Sequence, residues 1–159
     1  MITIRTMTPA DDAPLAAVIR TVLMEVGAPK VGTAYADPIL DTLYSVYDQA
    51  KSCYFVVLED GVLIGGAGIA PLEGDQNAVC ELQKMYLLEQ ARGKGLGAQL
   101  MARCLDFART QGFEQCYLET LPYMKAAQKL YKKAGFEYLE EPLGSTGHYS
   151  CDVWMLKGL

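Results

Sequence analysis

The chain has 159 residues, 51% of them hydrophobic and 21% charged, with a formal net charge of −5. That length suits one ordinary domain, expected here over residues 1–159, and the acidic balance argues against a nucleic-acid partner because phosphate backbones select basic surfaces. No stretch nears the ~20 apolar residues of a membrane span, and Met1-Ile2-Thr3-Ile4-Arg5 carries no signal-peptide pattern, so no membrane partner and a cytoplasmic location are expected.

Residues 2–6 alternate as a short strand, after which Thr8-Pro9 starts a helix with Leu15, Val18, Ile19, Val22, Leu23 and Val26 at helical spacing, ended by Gly27. Asp37-Pro38 introduces a second helix with Leu40, Leu43, Tyr44 and Tyr47 on one face. Residues 54–58 and 62–69 are strands joined by Asp60-Gly61, the composition of a tight hairpin turn. A strand over residues 79–88 runs into a Gly-rich turn, and the helix from Leu96 buries Leu100, Met101, Cys104, Leu105 and Ala108 before stopping at Gly112. Residues 115–121 form a strand, Pro122 opens a helix carrying Met124, Ala127, Leu130 and Tyr131, and Gly135 closes it. Residues 136–139 and 148–156 are the last strands. The order β-α-α-β-β-β-α-β-α-β-β describes an α+β sheet with helices on its faces. Cys53, Cys80, Cys104, Cys116 and Cys151 include no Cys-x-x-Cys pair, so neither a disulfide framework nor a zinc site is supported and no metal is expected.

The Gly-rich turn, Gln90-Ala91-Arg92-Gly93-Lys94-Gly95-Leu96-Gly97-Ala98, joins a strand directly to a helix. Unpaired amides and the positive end of the helix dipole then face one point, which suits a phosphate. A P-loop would need Ser or Thr after Lys94, where Gly95 stands. Gly93, Gly95 and Ala98 match the dinucleotide pattern G-x-G-x-x-A, with Glu119 ending the next strand where a ribose-binding acid belongs. That pattern normally opens a long parallel β-α-β series, whereas this turn follows three successive strands late in the chain.

Taken together, Glu81-Leu82-Gln83-Lys84-Met85-Tyr86-Leu87, Gln90-x-x-Gly93-x-Gly95 and Ala127-x-x-x-Tyr131-x-x-x-Gly135-Phe136 resemble the GCN5-related N-acetyltransferase (GNAT) family. The resemblance implies a mixed, splayed sheet with helices on both faces. It also implies transfer of an acetyl group from acetyl-coenzyme A to a primary amine of a small molecule, amino acid or peptide, by direct attack on the thioester. The coenzyme pyrophosphate would lie on the turn formed by Arg92, Gly93, Lys94, Gly95, Leu96, Gly97 and Ala98. Its pantetheine arm would run along Met85, Tyr86 and Leu87, in the gap between that strand and the one near Tyr117, with Thr120 and Ala127 also on the coenzyme side. A homodimer is expected by family analogy alone.

A lysine-like amine with pKa ~10.4 must be neutralised before it attacks a thioester, at about 4–5 kcal/mol near pH 7. Glu81, by two-residue alternation on a face with Gln83, Met85 and Leu87, is the candidate base, or else a salt-bridged strand residue; the resemblance favours the base. Tyr131 is either a core residue or the acid that protonates the departing thiolate, and its place before Gly135-Phe136 favours the acid. Backbone N–H groups near Met85 and Leu87, where the family's strand bulges, are the expected oxyanion donors. Many family members carry an asparagine where this chain has Met124. Glu119, Tyr123 and the single histidine, His148, are candidate amine-binding residues, each with a purely structural alternative. The loops over residues 27–37 and 141–147 face the acceptor in this family and carry no recognisable motif. The alternatives are a non-catalytic acyl-coenzyme A sensor and, less favoured, an NAD(P)-binding oxidoreductase that depends on Glu119.

Overall fold

A computed structural model describes residues 1–27, 36–75, 78–145 and 152–159. Strand β1 (Ile2–Thr6) leads through a 3-10 turn (Pro9–Asp11) into α1 (Asp12–Glu25). Thr8 and Asp11 form a capping box at that entry, satisfying donors the first turn would leave open. The second expected helix is a 3-10 turn (Pro38–Thr42), with Asp37 accepting from the Ile39 amide, followed by a short α2 (Leu43–Tyr47). Only the Leu40, Leu43 and Tyr47 positions of that segment are buried, so one apolar stripe docks it.

Strands β2 (Cys53–Glu59) and β3 (Val62–Pro71) form the expected hairpin, with Asp60 and Gly61 both at positive φ, as a tight turn between right-twisted strands requires. Next come β4 (Val79–Leu87), α3 (Leu96–Thr110), β5 (Gln115–Thr120), α4 (Lys125–Lys133), β6 (Glu137–Leu139) and β7 (Val153–Gly158). Helix α4 starts at Lys125 rather than at Pro122. Met124 has φ −86 and ψ 65, outside the helical region, and its amide bonds to Leu121, so residues 121–124 close a turn before the helix begins. The expected last strand over 148–156 is described only from β7 onward, since residues 148–151 lie outside the described residues.

Among the described residues, seven strands form one sheet in the order β1-β2-β3-β4-β5-β7-β6. All neighbours are antiparallel except β4 and β5. Two-residue alternation sends Phe55 and Val57 to a core shared with α3 and Tyr131, and Tyr54 and Val56 to a core shared with α1 and α2. The mixed sheet with helices on both faces is therefore as expected.

The β4–β5 ladder has three rungs, Val79 with Gln115, Cys80 with Cys116 and Glu81 with Tyr117. Beyond them β4 continues along β3 to Leu87 and β5 continues along β7 to Thr120. Two strands that keep their outer partners and leave each other open a wedge in the middle of the sheet.

Candidate active site

The shape of the wedge begins with a bulge. Gly66 pairs with Tyr86 and Gly68 with Gln83, so β4 has one residue more than β3 over this stretch. The left-handed residue there is Lys84, at φ +49. The Tyr54 hydroxyl donates to the Lys84 carbonyl at 2.7 Å and replaces the ladder bond that the bulge removes. A Cβ at Gly66 would come within 2.4 Å of the Tyr54 ring, so the absence of a side chain there makes room for the tyrosine.

The bulge changes which side chains share a face. Simple alternation would place Glu81, Gln83, Met85 and Leu87 together, and the structure corrects this. Cys80 and Leu82 face the α3 side, and after the extra residue Met85 and Leu87 do so too. Gln83 bonds to Tyr47 of α2 and Tyr86 packs on the α1 side, so Glu81 and Gln83 belong to the opposite face from Met85 and Leu87. The bulge itself lies at Lys84, adjacent to Met85 and three residues before Leu87.

Glu81 is buried, with 4% of its surface exposed. Gln83 Nε2 donates to Glu81 Oε1 at 2.6 Å, and the Tyr47 hydroxyl donates to Gln83 Oε1 at 2.7 Å. This chain fixes the carboxylate from behind. Burial first, and then the charge of Glu81, push the Tyr47 hydroxyl well above the usual tyrosine range, so Tyr47 remains a donor at any working pH. Helical spacing alone puts Tyr47 on a face with Leu40 and Leu43; its contact with Gln83 spans 36 residues and has no local signature.

The other wall comes from β5 and α4. Tyr131 is buried in the α3-side core, its ring edge-on to Phe136 at 6.2 Å between centroids. Tyr131 also lines the wedge, together with Leu23, Glu81, Lys84, Leu118 and Thr120. Burial pushes its hydroxyl well above the usual range, and among the described residues no hydrogen bond to it is present. The Thr120 hydroxyl donates to Met124 Sδ at 3.7 Å. Glu119 lines the wedge and accepts from the Tyr117 hydroxyl at 2.7 Å, while that oxygen accepts from the Leu143 amide at 3.2 Å. Ala127 packs against the α3-side core.

Gln128, which the sequence did not single out, is buried and pins the β5–α4 turn by donating to the Leu121 carbonyl at 2.9 Å and accepting from Tyr138 at 3.0 Å. Tyr123 is 44% exposed and is not among the residues lining the wedge. His148 lies outside the described residues, as does most of the 27–37 loop.

In the turn that follows β4, Gly93 and Gly95 have φ of +75 and +74, and α3 begins at Leu96 with Gly95 as its cap. The Gln99 amide is the first to bond back, to the Gly95 carbonyl at 3.2 Å, which leaves the Leu96, Gly97 and Ala98 amides directed out of the helix. Gly97 lets the helix start sit against α4, since a Cβ there would meet Leu130 at 3.1 Å. The flanking cations are engaged within the fold. Arg92 donates to the Leu87 carbonyl at 3.1 and 2.8 Å and pairs with Glu25, and Lys94 pairs with Glu59 at 3.2 Å. What the turn offers an anion is backbone. Among the described residues no group of three or more His, Cys, Asp or Glu is placed to hold a metal ion.

The acetyltransferase (GNAT) family model matches residues 27–136. The uncharacterized N-acetyltransferase YjgM of Escherichia coli strain K12 is 47% identical over 156 residues, 98% of this chain and 93% of the relative. A GNAT-family acetyltransferase of Staphylococcus aureus Mu50 superposes with a TM-score of 0.89 at 18% identity, over 100% of this chain and 99% of the other. The protein yncA of Salmonella typhimurium, in a structure with its cofactor acetyl-CoA, superposes with a TM-score of 0.78 at 22% identity, over 99% and 94%.

Proposed function

The chain belongs to the GNAT acetyltransferase family, and on that premise we propose that residues 1–159 act as one domain that transfers the acetyl group of acetyl-coenzyme A to a primary amine. The observation that carries this reading is that Glu81 and Tyr131, on opposite faces of the sheet, both line the wedge between β4 and β5. The yncA structure with its cofactor supports acetyl-coenzyme A as the donor.

Each group then has one task. Acetyl-coenzyme A supplies a thioester carbonyl and a thiolate leaving group. The amides of Leu96, Gly97 and Ala98 hold its pyrophosphate, and the backbone of residues 85–87 orients its arm. Glu81, held by Gln83, takes the proton of the acceptor ammonium directly or through a water, so the neutral nitrogen attacks. A backbone amide beside the bulge stabilises the oxyanion. Tyr131, kept protonated by burial, gives its proton to the sulfur as the C–S bond breaks; the attacking nitrogen releases its second proton, which restores the tyrosine through solvent, and the products are an N-acetyl amine and coenzyme A. We place this reaction in the cytoplasm; no described helix is long and apolar enough to cross a membrane.

The test is thermal unfolding with acetyl-coenzyme A, coenzyme A or NADPH, each at ~100 times a micromolar dissociation constant. Binding at that excess adds about 2.7 kcal/mol, or roughly 5–11 °C for a chain of this size. A shift with both coenzyme A species supports the reading. A shift with NADPH alone overturns it.

A further inference from the structure

One cation lining the wedge has no task in the transfer described above. Lys84 stands at the bulge, lines the wedge with Glu81 and Tyr131, and is half-buried. Its backbone is left-handed, which costs a non-glycine residue on the order of 1–3 kcal/mol and persists only where surroundings enforce it. Here the Tyr54 hydroxyl on the Lys84 carbonyl does so. Glycine would adopt this φ without strain; Lys84 shares the left-handed region with Lys51 and Asp60, and of these three it is the one that lines the wedge.

Among the described residues, the Lys84 ammonium makes no hydrogen bond and no ion pair. Burial pulls it below the usual lysine range, while Asp37 and Glu81 act on it through space and oppose the shift. A half-buried cation without a contact partner is costly, and a partner delivered by the substrate removes that cost. Glu81, three residues away along β4, supplies the opposite charge within the same wedge.

We propose that Lys84 is the residue that recognises the acceptor, and that the acceptor is an amine carrying a carboxylate, an amino acid, with its nitrogen towards Glu81 and its carboxylate on Lys84. The arrangement complements a zwitterion. A polyamine would place a second positive charge against Lys84. This inference deepens the acetyl-transfer reading and rests on it.

The test uses the full chain, wild type and the variants Lys84→Met and Lys84→Arg. Coenzyme A release is followed with the L-amino acids, their α-amides and the corresponding decarboxylated amines, and a thermal shift with coenzyme A checks each variant's fold. The expected result is that wild type prefers a free amino acid, that Lys84→Met lowers the acid-over-amide ratio of kcat/KM at least about tenfold through KM, and that Lys84→Arg restores part of it. Equal losses for acid and amide in a folded Lys84→Met variant overturn the inference. Coenzyme A binding with no amino acid acetylated overturns it alone and leaves the acetyl-transfer reading standing. Neither coenzyme A binding nor transfer to any amine overturns both.

Discussion

Glu81 and Tyr117 form the last rung of the parallel β4–β5 ladder, and the wedge opens directly beyond them. The proposed base therefore sits at the apex of the opening, where β4 is still held by two neighbours, and Tyr117 in turn fixes Glu119 along β5. A carboxylate placed at a strand junction is more rigid than one on a loop, which suits a group that must meet a bound amine within hydrogen-bond reach.

Tyr131→Phe removes the proposed acid and leaves the ring packing on Phe136 in place. We expect kcat to fall about 10²-fold, within the usual range for general acid catalysis, with the coenzyme A thermal shift retained. Because burial raises the Tyr131 pKa above the ordinary tyrosine value, the acid form persists through pH 10. The wild-type rate profile should then show no alkaline fall from this group below that pH, which steady-state rates from pH 6 to 10 would check.

Glu81→Gln keeps a hydrogen-bonding side chain beside Gln83 but removes the base. The expected loss is about 10²-fold in kcat/KM at pH 7. The deficit should narrow as pH approaches the acceptor's own pKa, because solvent then supplies the neutral amine. A deficit that is constant across pH would assign Glu81 a structural role.

Much of this organisation is legible in the sequence because local rules govern it. The alternation of β2, the three-to-four spacing of α3 and the Asp60-Gly61 turn each carry their own signal. The Gly93-x-Gly95 turn is equally local. The bulge is not, since it depends on Tyr54 meeting Lys84 across 30 residues and on Gly66 leaving room for that ring. Alternation consequently places Glu81 and Gln83 correctly together and puts Met85 and Leu87 on the wrong side of them. Pro122 misleads in a similar way, because its preference for a first helical turn is outweighed by a turn closed through the Leu121 carbonyl.

Asp11 should set part of the acid stability. It is 6% exposed and accepts from Arg5 at 2.8 and 3.1 Å and from the Thr8 amide at 2.7 Å. Burial by itself would raise its pKa; the Arg5 and Thr8 bonds outweigh that and hold it below the ordinary value. A carboxyl depressed in the folded state stabilises above its unfolded pKa of ~3.9, and the contribution is lost as pH falls through the lower folded value. Asp11→Asn should cost about 2 kcal/mol at pH 7, a Tm decrease of roughly 4–8 °C, and the gap from wild type should shrink below about pH 4. Thermal melts at pH 7 and pH 3 measure both.

Tyr54→Phe tests whether the bulge is held by the hydroxyl or by packing alone. The ring stays against Tyr47, 5.1 Å away between centroids, while the 2.7 Å bond to the Lys84 carbonyl is lost. A buried carbonyl left without its donor costs about 1–3 kcal/mol, so Tm should fall roughly 2–12 °C. The more informative result is kinetic. If the hydroxyl maintains the left-handed Lys84 geometry, kcat/KM measured well below the variant's Tm falls by more than the unfolded fraction explains, because the oxyanion amide and the lysine side chain are both displaced. An active, merely less stable Tyr54→Phe would mean that Gly66, Gly68 and the surrounding core fix the bulge without it. Gly66→Ala, which drives a Cβ to 2.4 Å from the same ring and 2.7 Å from the Phe55 carbonyl, should disrupt it in either case.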